Sequence, residues 1–176
     1  LDQPTAARVE QVLAASPSVA AFAPYASGMI MIEHQGRPGF PAIQGFNYEQ
    51  MKKVVPLDRY LTAGSLDNLD DDSVILSSLL ASSLGVRVGD VVSIYSPLAL
   101  ERARQNELLL PRDVLVAGIF HVGHQQLDSS VVIVTLRTMQ DLYGLGRGVH
   151  GVNVKIADGE DPDRMARRIN EALPPD

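Results

Sequence analysis

The stretch "VILSSLLASSLGVRVGDVVSIYSP", residues 74 to 97, changes its periodicity twice within one short run. Val74 to Leu76 form a short apolar run that suits a strand. Ser77 or Ser78 then supplies a hydroxyl able to cap a helix, and Gly85 provides a stop whose backbone tolerates the left-handed conformation. Gly89-Asp90 marks a turn, and a second strand begins at Val91. Strand, helix, strand is the order of a mixed α and β fold.

The same reading extends in both directions. Pro4 suits a first helical turn, and Ala6, Val9, Val12 and Leu13 recur on one helical face until "SPS" at 16 to 18 interrupts. Residues 19 to 33 and 40 to 46 are joined by "HQGRPG", which predicts a β-hairpin with Pro24 at an edge or a bulge. Downstream, residues 113 to 120 and 131 to 135 are β-branched runs, "LRTMQDLYG" reads as a helix ending at Gly144, and "HGVNVKIA" alternates as a strand. Asp161 caps a last helix with Pro162 at its first position and Met165, Ile169 and Leu173 on one side. The fold class expected is α+β, without internal repeats.

Composition narrows the function. The chain has 176 residues, 45% of them hydrophobic, which is enough for a sizeable core in one domain or two small ones. Its 21 acidic and 15 basic residues give a net charge of −6, and no basic run could cover a phosphate backbone, so nucleic acid is not an expected partner. With no cysteine there is no disulfide, thiolate metal site or cysteine nucleophile. No apolar run reaches the roughly 18 residues of a membrane span, and the start lacks a signal-peptide pattern and an initiator Met, which suggests a fragment or a mature product.

The chemically suggestive motifs are weak. His121 and His124, with Asp128 after them, stand in "GIFHVGHQQLD" (118 to 128), but on a strand end this spacing throws the rings apart, and further zinc ligands are missing. Gly146-x-Gly148-x-x-Gly151 has dinucleotide-site spacing but follows a helix and precedes a strand, the reverse of the order such a site needs. Asp67, Asp70, Asp71 and Asp72 lack the pattern of a calcium loop and read as a solvated turn. No nucleophile elbow or paired carboxylates stand out, so no catalytic residue, metal or cofactor is expected. The anomalous segment is "PLALERARQNELLLP", 97 to 111, whose leucines flank a charged middle. It reads as a projecting loop, either folded back on the core or kept for a partner.

Two motifs carry a resemblance over nearly the whole chain. Leu79 to Asp90 follows a "la-x-x-lgv-x-vGD" pattern, and Gly118 to Leu142 follows "GiF-x-x-G…D-S-x-v-x-v-x-l…q-x-L". Together they resemble the periplasmic domain of the lipoprotein-releasing permeases LolC and LolE, within the MacB/FtsX-type ABC transporter family. The resemblance implies a MacB-type periplasmic core domain, with a porter-like α/β subdomain from residues 1–48 and 129–176 and a smaller β-rich insertion, 49–128, bearing the projecting loop 97–111. It further implies a non-catalytic, mechanical part of an inner-membrane permease. ATP hydrolysis would belong to a separate cytoplasmic subunit, with a second permease subunit as partner and flanking helices in the membrane. A LolA-like periplasmic chaperone or the lipoprotein cargo would meet Pro97, Leu98, Leu100, Leu108, Leu109 and Pro111, which occupy the place of the family's hook, with Arg112 as the basic residue at its base. This segment departs from the hook's Pro- and Gly-rich composition by looking partly helical, and Ser93 stands where another basic residue is expected. A MacB-like exporter domain for another cargo and a stand-alone protein-binding module remain open.

Overall fold

The computed structural model describes residues 1–105, 108 and 110–172. In chain order these form α1 (Gln3–Ala15), β1 (Val19–Met29), β2 (Met31–His34), β3 (Arg37–Gly39), β4 (Ala42–Phe46), α2 (Tyr48–Val54), β5 (Leu61–Gly64) and β6 (Ser73–Ser77). Then come α3 (Ser78–Leu84), β7 (Val91–Tyr95), α4 (Pro97–Arg104), β8 (Arg112–Phe120), α5 (Gln125–Ser129), β9 (Val131–Thr135), α6 (Leu136–Tyr143), β10 (Gly151–Ile156) and α7 (Pro162–Ala172). Short 3-10 turns at Leu57–Tyr60 and Leu66–Asn68 flank β5.

Local chemistry explains the ends of these elements. The Asp2 carboxylate accepts the Thr5 amide at 3.0 Å to cap α1, and Ala6, Val9 and Leu13 bury its inner face. Gly85 closes α3 at φ 71° and Gly144 closes α6 at φ 63°, both left-handed. Ser77 stands at the N-cap of α3, but its hydroxyl accepts the Val131 amide of β9 at 3.0 Å, so it joins two strands instead of capping. Asp161 does begin α7, accepting the Asp163 amide at 3.0 Å; Met165 is buried toward α1, and Leu173 lies outside the described residues.

Among the described residues the strands form one sheet in the order β10-β1-β4-β9-β6-β8-β7-β2-β3, with β5 added on β8. The expected hairpin forms between β1 and β4, with Tyr25 opposite Phe46 and Met29 opposite Ala42. Its tip departs from the expectation. Past Met29 the chain makes a second hairpin, β2–β3, around Gln35 (φ 50°) and Gly36 (φ 78°), a turn with both central residues at positive φ. That tip then pairs with β7, Ile32 opposite Ile94. Pro24 is at neither an edge strand nor the bulge, which falls between Val19 and Ala21; it faces Val152 of β10 one residue beyond the β4 ladder, where its missing N–H interrupts no bond to β4.

The expected porter-like segment and the expected insertion share this sheet. They meet where β6 and β9 pair through two residue pairs, Ile75 with Ile133 and Leu76 with Val132, and β2 reaches across to β7.

A bulge decides which side chains face which layer. Val74 opposes Val116, but Ile75 opposes Gly118, so Ala117 is an extra residue in β8. Before it, Val114 and Val116 face the layer that contains Met139 and Leu142 of α6 and Leu80 and Leu84 of α3. After it, Phe120 faces the other layer, with Phe46, Met51, Leu66 and Ile133. Strand alternation alone would have kept all three on one face.

The bulge also dictates a glycine. Gly64 of β5 has φ 78°, and a Cβ there would fall 2.1 Å from the Ala117 carbonyl oxygen. Gly89, at φ 96°, has open space around it. Gly89→Ala should therefore cost only the strained backbone, about 1–2 kcal/mol. Gly64→Ala should cost clearly more, because β5 must also move off β8, and denaturant unfolding of both variants measures the difference. Equal losses would show that the close approach at the bulge does not matter.

Candidate functional site

The segment after β7 begins as a helix, in line with its partly helical look, and not as a plain projecting loop. Buried Ser96 accepts the Ala99 amide on its side chain at 3.1 Å and the Leu100 amide on its carbonyl at 3.0 Å, and Pro97 fills the first helical position. Arg102 and Arg104 fall in the last turn, where cations complement the unpaired carbonyls. The Ser-Pro pair at 96 and 97 was a legible start signal. α4 rests on α6, with Leu98 half-buried near Gly144, so this half of the segment lies along the molecule.

The remaining expected contact residues divide. Leu100, Leu108 and Leu110 are 36%, 79% and 66% exposed, a set of large apolar side chains turned to solvent. Pro97 is exposed, Pro111 is half-buried, and Leu109 lies outside the described residues. Leu110 belongs to the same leucine run but was not among the expected contact residues.

Arg112, at the base, sits among carboxylates. Its Nη2 donates to the Asp71 carbonyl at 2.6 Å and lies 3.4 Å from Asp72 Oδ1, while Nη1 is 3.9 Å from Asp141 Oδ2 of α6. Asp71 is itself tied down: Thr135 Oγ1 donates to its carboxylate at 2.5 Å, and Thr138 Oγ1 donates to its carbonyl at 3.0 Å. The acidic stretch is thus only partly the solvated turn expected from its composition. Asp72 is exposed, but Asp71 links the loop before β6 to the start of α6. Ser93 donates to Asp113 Oδ1 at 2.6 Å, directly across the β7–β8 ladder. The exposed cations of the segment are therefore Arg102 and Arg104, on α4.

The histidines form a loop structure. His121 Nδ1 lies 3.1 Å from Ser78 Oγ and 3.3 Å from Asp128 Oδ2. A catalytic relay needs the hydroxyl and the carboxylate on opposite ring nitrogens, and here both address one. His124 caps α5 by position, a short helix within what was expected to be a plain connection between strands. Asp128 is buried and accepts the Val122 amide at 2.6 Å and the Gly123 amide at 2.9 Å. Burial opposes its charge, but those amides, His121 and the His124 amide outweigh it and hold the carboxyl below its ordinary range. Gly146 and Gly148 lie between α6 and β10 and Gly151 begins β10, in the helix-then-strand order that rules out a pyrophosphate cradle. Among the described residues, no three His, Cys, Asp or Glu side chains gather as a metal set.

This architecture has known counterparts. Residues 2–172 match the MacB-like periplasmic core domain. The periplasmic region of MacB from Actinobacillus actinomycetemcomitans superposes with a TM-score of 0.65 at 15% identity, covering 97% of this chain and 73% of that one. The extracellular domain of the noncanonic ABC-type transporter YknZ from Gram-positive bacteria gives 0.64 at 17% identity, over 95% and 82%. At such identities these two show the fold alone. The chain belongs to the MacB-like periplasmic core domain family. It is also similar to LolC proteins: it is 32% identical over 159 residues to the lipoprotein-releasing system transmembrane protein LolC of Xylella fastidiosa, and 28% identical over 159 residues to that of Neisseria meningitidis. Those alignments cover 87% and 88% of this chain but only 37% and 38% of the relatives' lengths. No helix among the described residues is long and apolar enough to cross a membrane.

The Asp128 loop has a pH signature. A carboxyl held below its ordinary range in the folded state stabilises the fold fully above the unfolded value and loses that contribution as pH falls through the folded one. Wild type should therefore lose stability below about pH 4, and Asp128→Asn should be less stable at pH 7 with a flatter acid limb. Thermal melts across this range give the comparison, and parallel acid limbs would contradict the role assigned to Asp128.

Proposed function

We propose that this chain is the periplasmic domain of an ABC transporter permease that takes part in releasing lipoproteins from the inner membrane and passing them to a LolA-like periplasmic chaperone. The observation that carries this reading is the 32% identity to a LolC protein across 87% of the chain. Its role is mechanical and non-catalytic. ATP hydrolysis belongs to a separate cytoplasmic subunit, and a second permease subunit completes the transporter. Residues 1–48 with 129–176 act as the porter-like lobe and 49–128 as the inserted lobe. Their shared ladder at β6–β9 would carry motion from one lobe to the other.

Partner recognition is assigned to the segment from Pro97 to Arg112. Leu100, Leu108 and Leu110 give it apolar anchors at the surface, Arg102 and Arg104 give it charge on α4, and Arg112 fixes its base to the sheet. Leu98 holds α4 against α6.

Replacing Leu100, Leu108 and Leu110 with Ser should change domain stability by no more than about 0.5 kcal/mol per site, since all three are exposed. In the parent permease the same triple change should lower lipoprotein transfer to the chaperone sharply, each true anchor costing about 1 kcal/mol or more of binding. Deleting residues 98 to 110 with a two-residue join should leave the isolated domain folded and abolish transfer. Undiminished transfer by the triple variant would reject the assignment of the segment, and a deletion that unfolds the domain would assign its leucines to the core.

A further inference from the structure

On the sheet face opposite α4 and α6, α2, the following 3-10 turn and β5 roof a cavity of about 330 Å³. The sidedness follows from alternation: Val74 and Leu76 face the α6 layer, and Ile75, between them, faces the cavity. The floor is nearly sealed, with Ile75 0%, Phe46 3%, Leu66 4%, Phe120 7% and Ile133 7% exposed. Val55 and Leu127, 38% and 43% exposed, mark the mouth, with the amide side chains of Gln44 and Asn153 among the other lining groups. Among the described residues, no Asp, Glu, Lys, Arg or His contributes to the lining.

We infer that this cavity is a binding site for a single alkyl chain. Its walls have no charge or dense hydrogen-bonding to offer a polar ligand, so an occupant must be apolar where it is buried and keep any charged group outside the mouth. Natural cores retain few voids larger than a water molecule, and one of 330 Å³ falls in the size range of ligand sites. It is about twice the ~150 Å³ cavity that admits benzene, which corresponds to a chain of roughly a dozen carbons. The roof is an arch tied at its ends: Tyr48 Oη donates to Asp58 Oδ1 at 2.7 Å, a bond that with burial pushes the phenol up to about 12. That tie joins the start of α2 to the 3-10 turn, while Met51, Val54, Leu57 and Leu61 of the roof pack around the cavity against the cluster that holds Ile75 and Phe120. This inference is independent of the chaperone reading, because the site lies on the other face from the 97–112 segment.

A free fatty acid and the acyl chain of a phospholipid share this chemistry. The test is to titrate the chain with dodecanoate and, separately, with a lysophosphatidylglycerol of the same chain length, both below self-association, and to follow the methyl NMR signals of Ile75, Ile133 and Leu66. Saturable one-to-one binding with contacts from the chain to these methyls is expected. Binding of dodecanoate alone assigns a free acid, and binding of both assigns recognition of the chain whatever its head group. Val54→Phe, from α2, should fill the cavity, keep or raise the melting temperature and abolish binding. A second filler, Leu61→Phe from β5, serves should the first fail to fold. The inference is overturned if neither probe binds, if contacts fall on Leu100, Leu108 or Leu110 instead, or if binding survives in a folded filler variant.

Discussion

One extra residue in β8 determines how this domain builds two layers on one sheet. Before Ala117, Val114 and Val116 pack in the layer of α3 and α6; after it, Phe120 packs in the layer of α2 and the 3-10 turns, and Ile119 faces the first layer. The switch costs a disrupted ladder step and requires a glycine on the neighbouring strand. In return, β6 and β8 supply apolar residues to both faces at the centre of the sheet, and Val74, Ile75 and Leu76 are all fully buried. Such a strand is flanked by structure on both sides, and its sequence reads as a continuous apolar run instead of an alternating one.

That distinction marks how far the sequence was readable. Val74 to Leu76, Val131 to Val134, Gly85 and Gly144 announced strands and helix stops through chemistry local to each, and they were correctly placed. The Ser96-Pro97 start of α4 was equally local, but the leucines and prolines around it suggested a loop. What stayed hidden was non-local. No pattern in "MIMIEH" says that β2 pairs with β7 on the side away from its hairpin partner β3, and no spacing in β8 reveals the bulge, because both depend on a strand distant in sequence. The acidic run misled for the same reason: composition shows four solvated aspartates, whereas Asp71 finds Thr135, 64 residues away.

The candidate recognition segment has a fixed base. Arg112 bonds the loop before β6 and approaches Asp141 of α6, so it couples β8, that loop and α6 at one point. Partly exposed ion pairs contribute little on their own, and the shorter bond to the Asp71 carbonyl is the part that orients the guanidinium. Beyond that base, α4 buries no residue fully. The sheet is thus a rigid frame, and α4 is a surface helix resting on α6, able to open without unfolding the frame.

Native-state hydrogen exchange tests that division most directly. The amides of Val74, Val116 and Val132 should exchange only through global unfolding, while the Leu100 amide, bonded to the Ser96 carbonyl, should exchange through a local opening of much lower free energy. Protection of Leu100 equal to that of the central strands would make α4 part of the cooperative core and contradict a separable recognition element.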